Sequence, residues 1–206
     1  MMITVAGSAI LAYFMNDAFV SDAVSSISTS DVSTKSIQLL AYDTRDSSNL
    51  LQMGVLDNSN TASNNVLCGV TCKDNLNKIP SNTGTEFIVL RIKNNSIDPI
   101  FLGQVIVNNV GHSWDPNTKD VELDGTSDDV SGVGKYPSDG MFSVIPSDSS
   151  LLHQRKNEIK NGEIANIIIK LGPDDSDINL NDGLRILLDI GTVQFVEFVI
   201  ESGDAK

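Results

Sequence analysis

The chain has 206 residues, enough for one well-buried core or two small ones. Hydrophobic residues make up 40% of it, and Lys and Arg total 14 against 27 Asp and Glu, a formal net charge of -13. Binding to nucleic acid or to an anionic membrane surface rests on clustered cations, so this balance argues against both.

The N-terminal segment carries no charge before Asp17, and apolar residues continue through Ala18, Phe19 and Val20. As a helix it would be about 25–30 Å long. Its apolar contacts would come from Ile3, Val5, Ala6, Ile10, Leu11, Tyr13, Phe14 and Phe19. Small residues (Ala6, Gly7, Ser8, Ala9, Ala12) allow close helix–helix approach. A secretory signal peptide needs a basic start, but no Lys or Arg occurs before Lys35. A simple anchor carries basic or aromatic flanks, whereas Asp17, Asp22 and the Ser-rich tract 25–31 follow here. The reading that fits best is a helix held in the membrane before assembly and buried in a filament core afterwards. Its basic flank would then have been cleaved away. The segment is short for that role, which predicts a mature chain that begins several residues upstream of Met1. Residues 1–34 are therefore read as a filament-core helix and linker, and 35–206 as an outer domain.

From Lys35 the pattern changes from helical to alternating. Residues 37–42 read as a first strand and 50–56 as a second strand or bulged edge. The Asn- and Ser-rich stretch 57–65 reads as loop. Cys68 and Cys72 follow in a C-x3-C pair around Gly69. Two sulfurs, even with His112 and His153, make a poor tetrahedral zinc site. In an extracellular protein the natural reading is a local disulfide, and the alternative is two reduced thiols.

Residues 86–93 form a strong strand pattern. The turn at Asn94, Asn95 and Asp98-Pro99 holds the N-x-Ser acceptor Asn94-Asn95-Ser96, a glycosylation site if the turn is exposed. A strand over 100–107 comes next. Trp114 reads as a core or interface anchor, with sugar stacking as its functional rival. The acidic, turn-rich stretch 115–139 reads as a long exposed insertion. Its Asp120, Glu122, Asp124, Asp128 and Asp129 supply enough carboxylates for Ca2+, Asp124, Asp128 and Asp129 foremost. They depart from the twelve-residue EF-hand order and read first as a solvated loop, as do Asp174, Asp175 and Asp177. Further strands are expected at 141–145, 164–171, 184–190 and 194–200, with turns at Gly172-Pro173 and Gly191-Thr192. The strands near 164 and 184 look apolar on both faces, so some of those faces should be covered.

Roughly seven or eight short strands with turns between them imply a β-sandwich or closed barrel. No nucleophile elbow, P-loop, dinucleotide fingerprint or H-E-x-x-H helix occurs, and a lone loop histidine is a weak catalytic signal. No enzyme is expected.

The order of parts resembles archaellins and related archaeal type IV pilins. Phe87-Ile-Val-Leu-Arg-Ile-Lys-Asn-Asn-Ser-Ile-Asp-Pro-Ile100 is similar to that family's strand, Asn-containing turn and x-Pro-Ile strand. Asn161-Gly-Glu-Ile-Ala-Asn-Ile-Ile-Ile169, with the closing pair over 184–202, is similar to its C-terminal ending. The leader and its cleavage site are not in this sequence, and the cysteine pair departs from the pattern. The resemblance implies an α+β fold, an N-terminal hydrophobic α-helix followed by an antiparallel immunoglobulin-like β-sandwich. It implies an extracellular archaeal filament of identical subunits, an archaellum for swimming, with a membrane stage before assembly and no cofactor. An adhesive pilus subunit is the first alternative. A membrane-anchored β-sandwich binding module or minor pilin is the second.

Overall fold

Alternating Ile, Val, Leu and Phe place one side of a strand in a core and need neighbouring strands to satisfy the backbone. In this chain that requirement is met by a single curved sheet. The computed structural model describes residues 36–45, 47–58, 66–67, 87–125, 134–148, 150–176, 178–179, 181–191 and 194–206, all within the unit Lys35–Lys206.

The strands are β1 (Ile37–Asp43), β2 (Val66–Leu67), β3 (Phe87–Asn94), β4 (Ile100–Phe101), β5 (Gln104–Val107) and β6 (Val110–Trp114). They continue as β7 (Met141–Pro146), β8 (Glu158–Ile159), β9 (Ile164–Lys170), β10 (Ile178–Asn179), β11 (Gly183–Asp189) and β12 (Phe195–Glu201). Eight of them form one nearly closed, barrel-like sheet in the order β1-β3-β9-β7-β6-β5-β11-β12. Every neighbour in it is antiparallel except β6 and β7, which run parallel and pair only at Ser113–Met141 and Trp114–Phe142. The C-terminal tail closes the remaining gap. Tyr42 N donates to Lys206 O (2.8 Å), Lys206 N to Tyr42 O (3.0 Å) and Thr44 N to Asp204 O (2.9 Å).

The barrel is filled by the inward residues of the long strands, among them Ile88, Leu90 and Ile92 on β3 and Ala165, Ile167 and Ile169 on β9. Each apolar side chain of this kind contributes about 1.5–3 kcal/mol when fully buried. A second core lies on the outer face of β3, β9 and β7. There Phe87, Val89, Ile168 and Ile145 are covered by Leu50, Met53, Leu56, Leu123 and Tyr136. The double-faced apolar strand at 164 is thus covered by this layer. The strand at 184 is amphipathic, burying Leu184, Ile186 and Leu188 and exposing Gly183 and Arg185.

The expected α+β class and immunoglobulin-like sandwich are overturned. The described residues are all-β, and their helical segments are two three-residue 3-10 turns, Leu50–Gln52 and Pro116–Thr118. The inner faces belong to one continuous sheet curled on itself, not to two sheets stacked face to face. Alternation alone buries every second residue in either design, which is why the pattern did not separate them. The expected N-terminal helix falls on residues outside the described set.

Two local readings also change. Residues 50–56 form the 3-10 turn and the loop that follows, because this short apolar run serves as a lid on β3 and β9. Residues 100–107 split into β4 and β5, with Gly103 at the break. A Cβ on Gly103 would stand 2.7 Å from the Asp189 carboxylate, so a larger residue at this break would have to displace that side chain.

Candidate functional site

The first described residue enters the barrel at one end. Ser36 N donates to Ser96 Oγ (2.8 Å), and Asn95 N donates to Ser36 O (2.8 Å). The 94–98 turn and the 160–163 turn meet there, with Asn94 N on Glu163 O (3.0 Å) and Asn161 Nδ2 on Ile97 O (3.0 Å). Ile97 is 76% exposed at this end. Ile164, which pairs with Lys93, and Phe101 on the adjoining β4 are also exposed. A second apolar stripe runs along the outer face of β12, where Phe195 and Val199 flank the Glu197–Arg185 ion pair (2.7 Å). Ile97 lies in the turn, while Phe101, Ile164, Phe195 and Val199 sit on strands whose neighbouring residues are committed to the core. Large contiguous apolar patches mark contact surfaces, which makes these residues the candidates for one.

Asn94, the expected glycan acceptor, is buried. Its Nδ2 donates to Asp98 O (3.0 Å) and Ile159 O (2.9 Å), and its Oδ1 accepts from Ser96 N (2.8 Å). Both N–H bonds of the acceptor nitrogen are committed inside the fold, so a glycan there conflicts with the folded turn. Asp124 is partly buried with Lys135 Nζ at 3.4 Å, while Asp128 and Asp129 lie outside the described residues. Asp120 pairs with Arg155 (2.8 Å), and Glu122 makes an antiparallel bridge with Leu152. Among the described residues no group of three His, Cys, Asp or Glu side chains is arranged to hold a metal. Cys68, Cys72 and Asp177 lie outside the described set, as do Ile3, Val5, Ala6, Ile10, Leu11, Tyr13, Phe14 and Phe19, the residues expected to mediate polymerisation. Among the described residues no helix is long and apolar enough to cross a membrane.

The two histidines are both buried, contrary to their reading as loop residues. His112 on β6 faces the same side as its cross-strand partner Val105, toward the core. Its Nε2 lies 3.2 Å from Asp175 Oδ2, which also accepts from Gly172 N (2.7 Å), and its Nδ1 lies 3.2 Å from Val110 O. Asp175 lines a cleft of about 310 Å3, together with Gly111, Gly140, Gly172 and Asp174. Nearby, Asp115 accepts from both Ser138 N and Ser138 Oγ (2.8 Å each). Ser138 therefore serves the Asp115 turn, and His112 serves Asp175; the two pairs do not join into a nucleophile–base chain. His153 has Nε2 on Lys135 O (3.1 Å), and burial pushes its pKa down to about 4. Trp114 is partly buried against the barrel core with its Nε1 buried and without an acceptor, which places it as an anchor at the end of β6.

No family model matches this sequence, and no curated protein matches it.

The interior of the expected insertion is the feature the sequence hid most. Asp115, Thr118, Leu123 and Tyr136 are all buried. Tyr136 packs edge-on against Phe87 at 5.7 Å, with Lys170 Nζ 4.9 Å above its ring and 2.7 Å from Asp139. The isolated apolar residues Leu123 and Tyr136 were the available signal.

Proposed function

We propose that this protein is a structural subunit of an archaeal extracellular filament, polymerising through its apolar N-terminal segment with the β-barrel displayed outside. One observation carries the reading. A charge-free apolar stretch precedes a self-contained β-domain, and the end where the chain enters that domain presents Ile97 76% exposed. Burying apolar surface yields about 25 cal/mol per Å2, so a segment of this composition contributes several kcal/mol per subunit when neighbours cover it. The contact joins different surfaces of successive copies and does not close, which gives an open helical polymer. In this reading the subunit works by assembly and not by catalysis, needs no cofactor, and passes through the membrane before it joins the fibre.

Swimming is the assigned use, as an archaellum; attachment through an adhesive pilus is the alternative. Electron microscopy of fibres sheared from the source cells, with mass spectrometry of the purified material, tests the proposal. This chain should be the dominant mass in thin uniform filaments. Its recovery only from detergent-solubilised membranes would overturn the filament and favour an anchored binding module. Deletion should abolish swimming; loss of attachment alone would reassign the fibre to adhesion.

A further inference from the structure

The chain has four arginines. Arg45, Arg155 and Arg185 each pair with a carboxylate, Asp43, Asp120 and Glu197 respectively. Arg91 has no such partner among the described residues, although the protein carries a net charge of -13. It lies on the outer face of β3, partly buried, opposite Asn166 on β9. Its Nε donates to Asn166 Oδ1 (3.0 Å) and one Nη to Leu51 O (3.3 Å). A guanidinium has five N–H donors, so these two bonds leave three without an acceptor among the described residues. A partly desolvated cation satisfied only by neutral oxygens is a poor arrangement unless an anion completes it.

Beside Arg91 is a cavity of about 300 Å3, walled by Leu51, Gln52, Met53, Ser147, Asp148, Leu151 and Asn166 with Gly54. The volume is within the range of small-ligand sites. Its backbone is unusual. Eight described non-glycine residues have positive φ, and five of them are Asn or Asp, which tolerate that region in turns. The other three are Leu51 (φ 45°), Gln52 (φ 64°) and Leu151 (φ 51°), and all three line this cavity. Each is strained and persists only where the surroundings enforce it. Here the enforcement is visible: Leu50 is buried in the outer core, and Leu51 N is held by the buried Asp43 carboxylate at 2.9 Å. The strained turn aims Leu51 O at Arg91 and opens the cavity in front of the guanidinium.

Asp148 also lines the cavity, its carboxylate held through Oδ1 by Ser150 N and Ser150 Oγ, with no donor to Oδ2 among the described residues. The cavity therefore offers both cationic donors and an anionic acceptor, together with the apolar side chains of Leu51, Met53 and Leu151.

We propose that this cavity binds a small carboxylate bearing hydroxyl groups, with the carboxylate on the Arg91 fork and Asn166 and a hydroxyl donating to Asp148. The planar fork matches a carboxylate by paired hydrogen bonds. The negative field of the whole molecule opposes the ligand at long range but is screened beyond about 8 Å at physiological salt. The proposal rests on the cavity's own residues, so it stands whether or not the filament reading does.

The test is an amide chemical-shift titration of the full chain at pH 7 and physiological salt, with D-glucuronate, D-glucose and acetate as probes. D-glucuronate at millimolar concentration should shift the amides of Leu51, Gln52, Arg91 and Asn166, and D-glucose should not. Arg91→Gln should weaken D-glucuronate binding at least tenfold, with Arg91→Lys intermediate. Asp148→Asn, at an exposed position, should retain acetate binding and lose the preference for D-glucuronate over acetate. No shift around the cavity, equal shifts with D-glucose, or unchanged D-glucuronate binding in Arg91→Gln would each overturn the proposal. If Arg91→Gln fails to fold, the wild-type shift map and the Asp148→Asn preference decide on their own.

Discussion

His153 and Asn94 are buried with specific hydrogen-bond partners, and changing either exposes the cost. His153 is the clearest case for pH. Its folded pKa is pushed down to about 4 by desolvation, against an ordinary value of 6.5. The unfolded chain therefore takes up the proton first as pH falls. Stability from this group is fully present above 6.5, declines between 6.5 and about 4, and falls no further below that. The shift corresponds to about 3 kcal/mol. Urea unfolding from pH 7 to pH 4 should show this slope, and His153→Gln should flatten it. An unchanged slope in the variant would mean that other groups carry the acid sensitivity. Asn94 makes a parallel case for hydrogen bonding. Asn94→Asp keeps the shape but removes both donors from Asp98 O and Ile159 O and places a charge in a buried turn. It should cost about 3 kcal/mol or more, read as a lowered denaturation midpoint. Wild-type stability in Asn94→Asp would show that the buried amide is dispensable.

At the scale of elements, the barrel is closed by its tail and not by a direct ladder between β1 and β12. Removing residues 202–206 would take away the main-chain bonds of Tyr42 and Thr44 to Lys206 and Asp204, and the Tyr42 hydroxyl's bond to Asp204 (3.1 Å). At about 1 kcal/mol net for each bond, the truncated chain should lose about 2–4 kcal/mol. The freed edge of β1 should also promote concentration-dependent association, seen by light scattering. A truncated chain with wild-type melting and no association would show that the ring does not depend on its tail. The long strands were legible in the sequence because β3, β9, β11 and β12 alternate or run apolar over seven or eight residues. The short ones were not: β6 reads Val110-Gly-His-Ser-Trp114, and its polar and glycine content hides a strand whose His112 faces the core. Leu50 and Leu56 were legible as apolar but not as lid residues, since a run of seven gives no sign of which sheet it covers. The Arg91 cavity left no sequence signal at all. Its strain is conformational, and Arg91 reads as an ordinary solvent-facing strand residue until Leu51 and Leu151 fold over it.

For the whole molecule, charge and apolar surface pull in opposite directions. A net charge of -13 keeps copies apart at low salt, so any assembly must be driven by apolar contact strong enough to overcome it. The barrel end at Ile97 is where that competition can be read. The Ile97 side chain is 76% exposed and only its carbonyl takes part in the fold, accepting from Asn161. Ile97→Glu should therefore change the stability of the isolated fold by no more than about 0.5 kcal/mol. In a polymer the same substitution removes an apolar contact, desolvates a carboxylate and adds a negative charge between subunits that already repel. The concentration needed for filaments should rise tenfold or more, a difference of about 1.4 kcal/mol per subunit. Added salt should recover part of that loss by screening the repulsion, but not the part due to lost burial and desolvation. Sedimentation of wild type and Ile97→Glu across a salt series separates the two contributions. If Ile97→Glu assembles as readily as wild type at every salt concentration, this end of the barrel faces solvent in the fibre, and contact must be sought along Phe195 and Val199 instead.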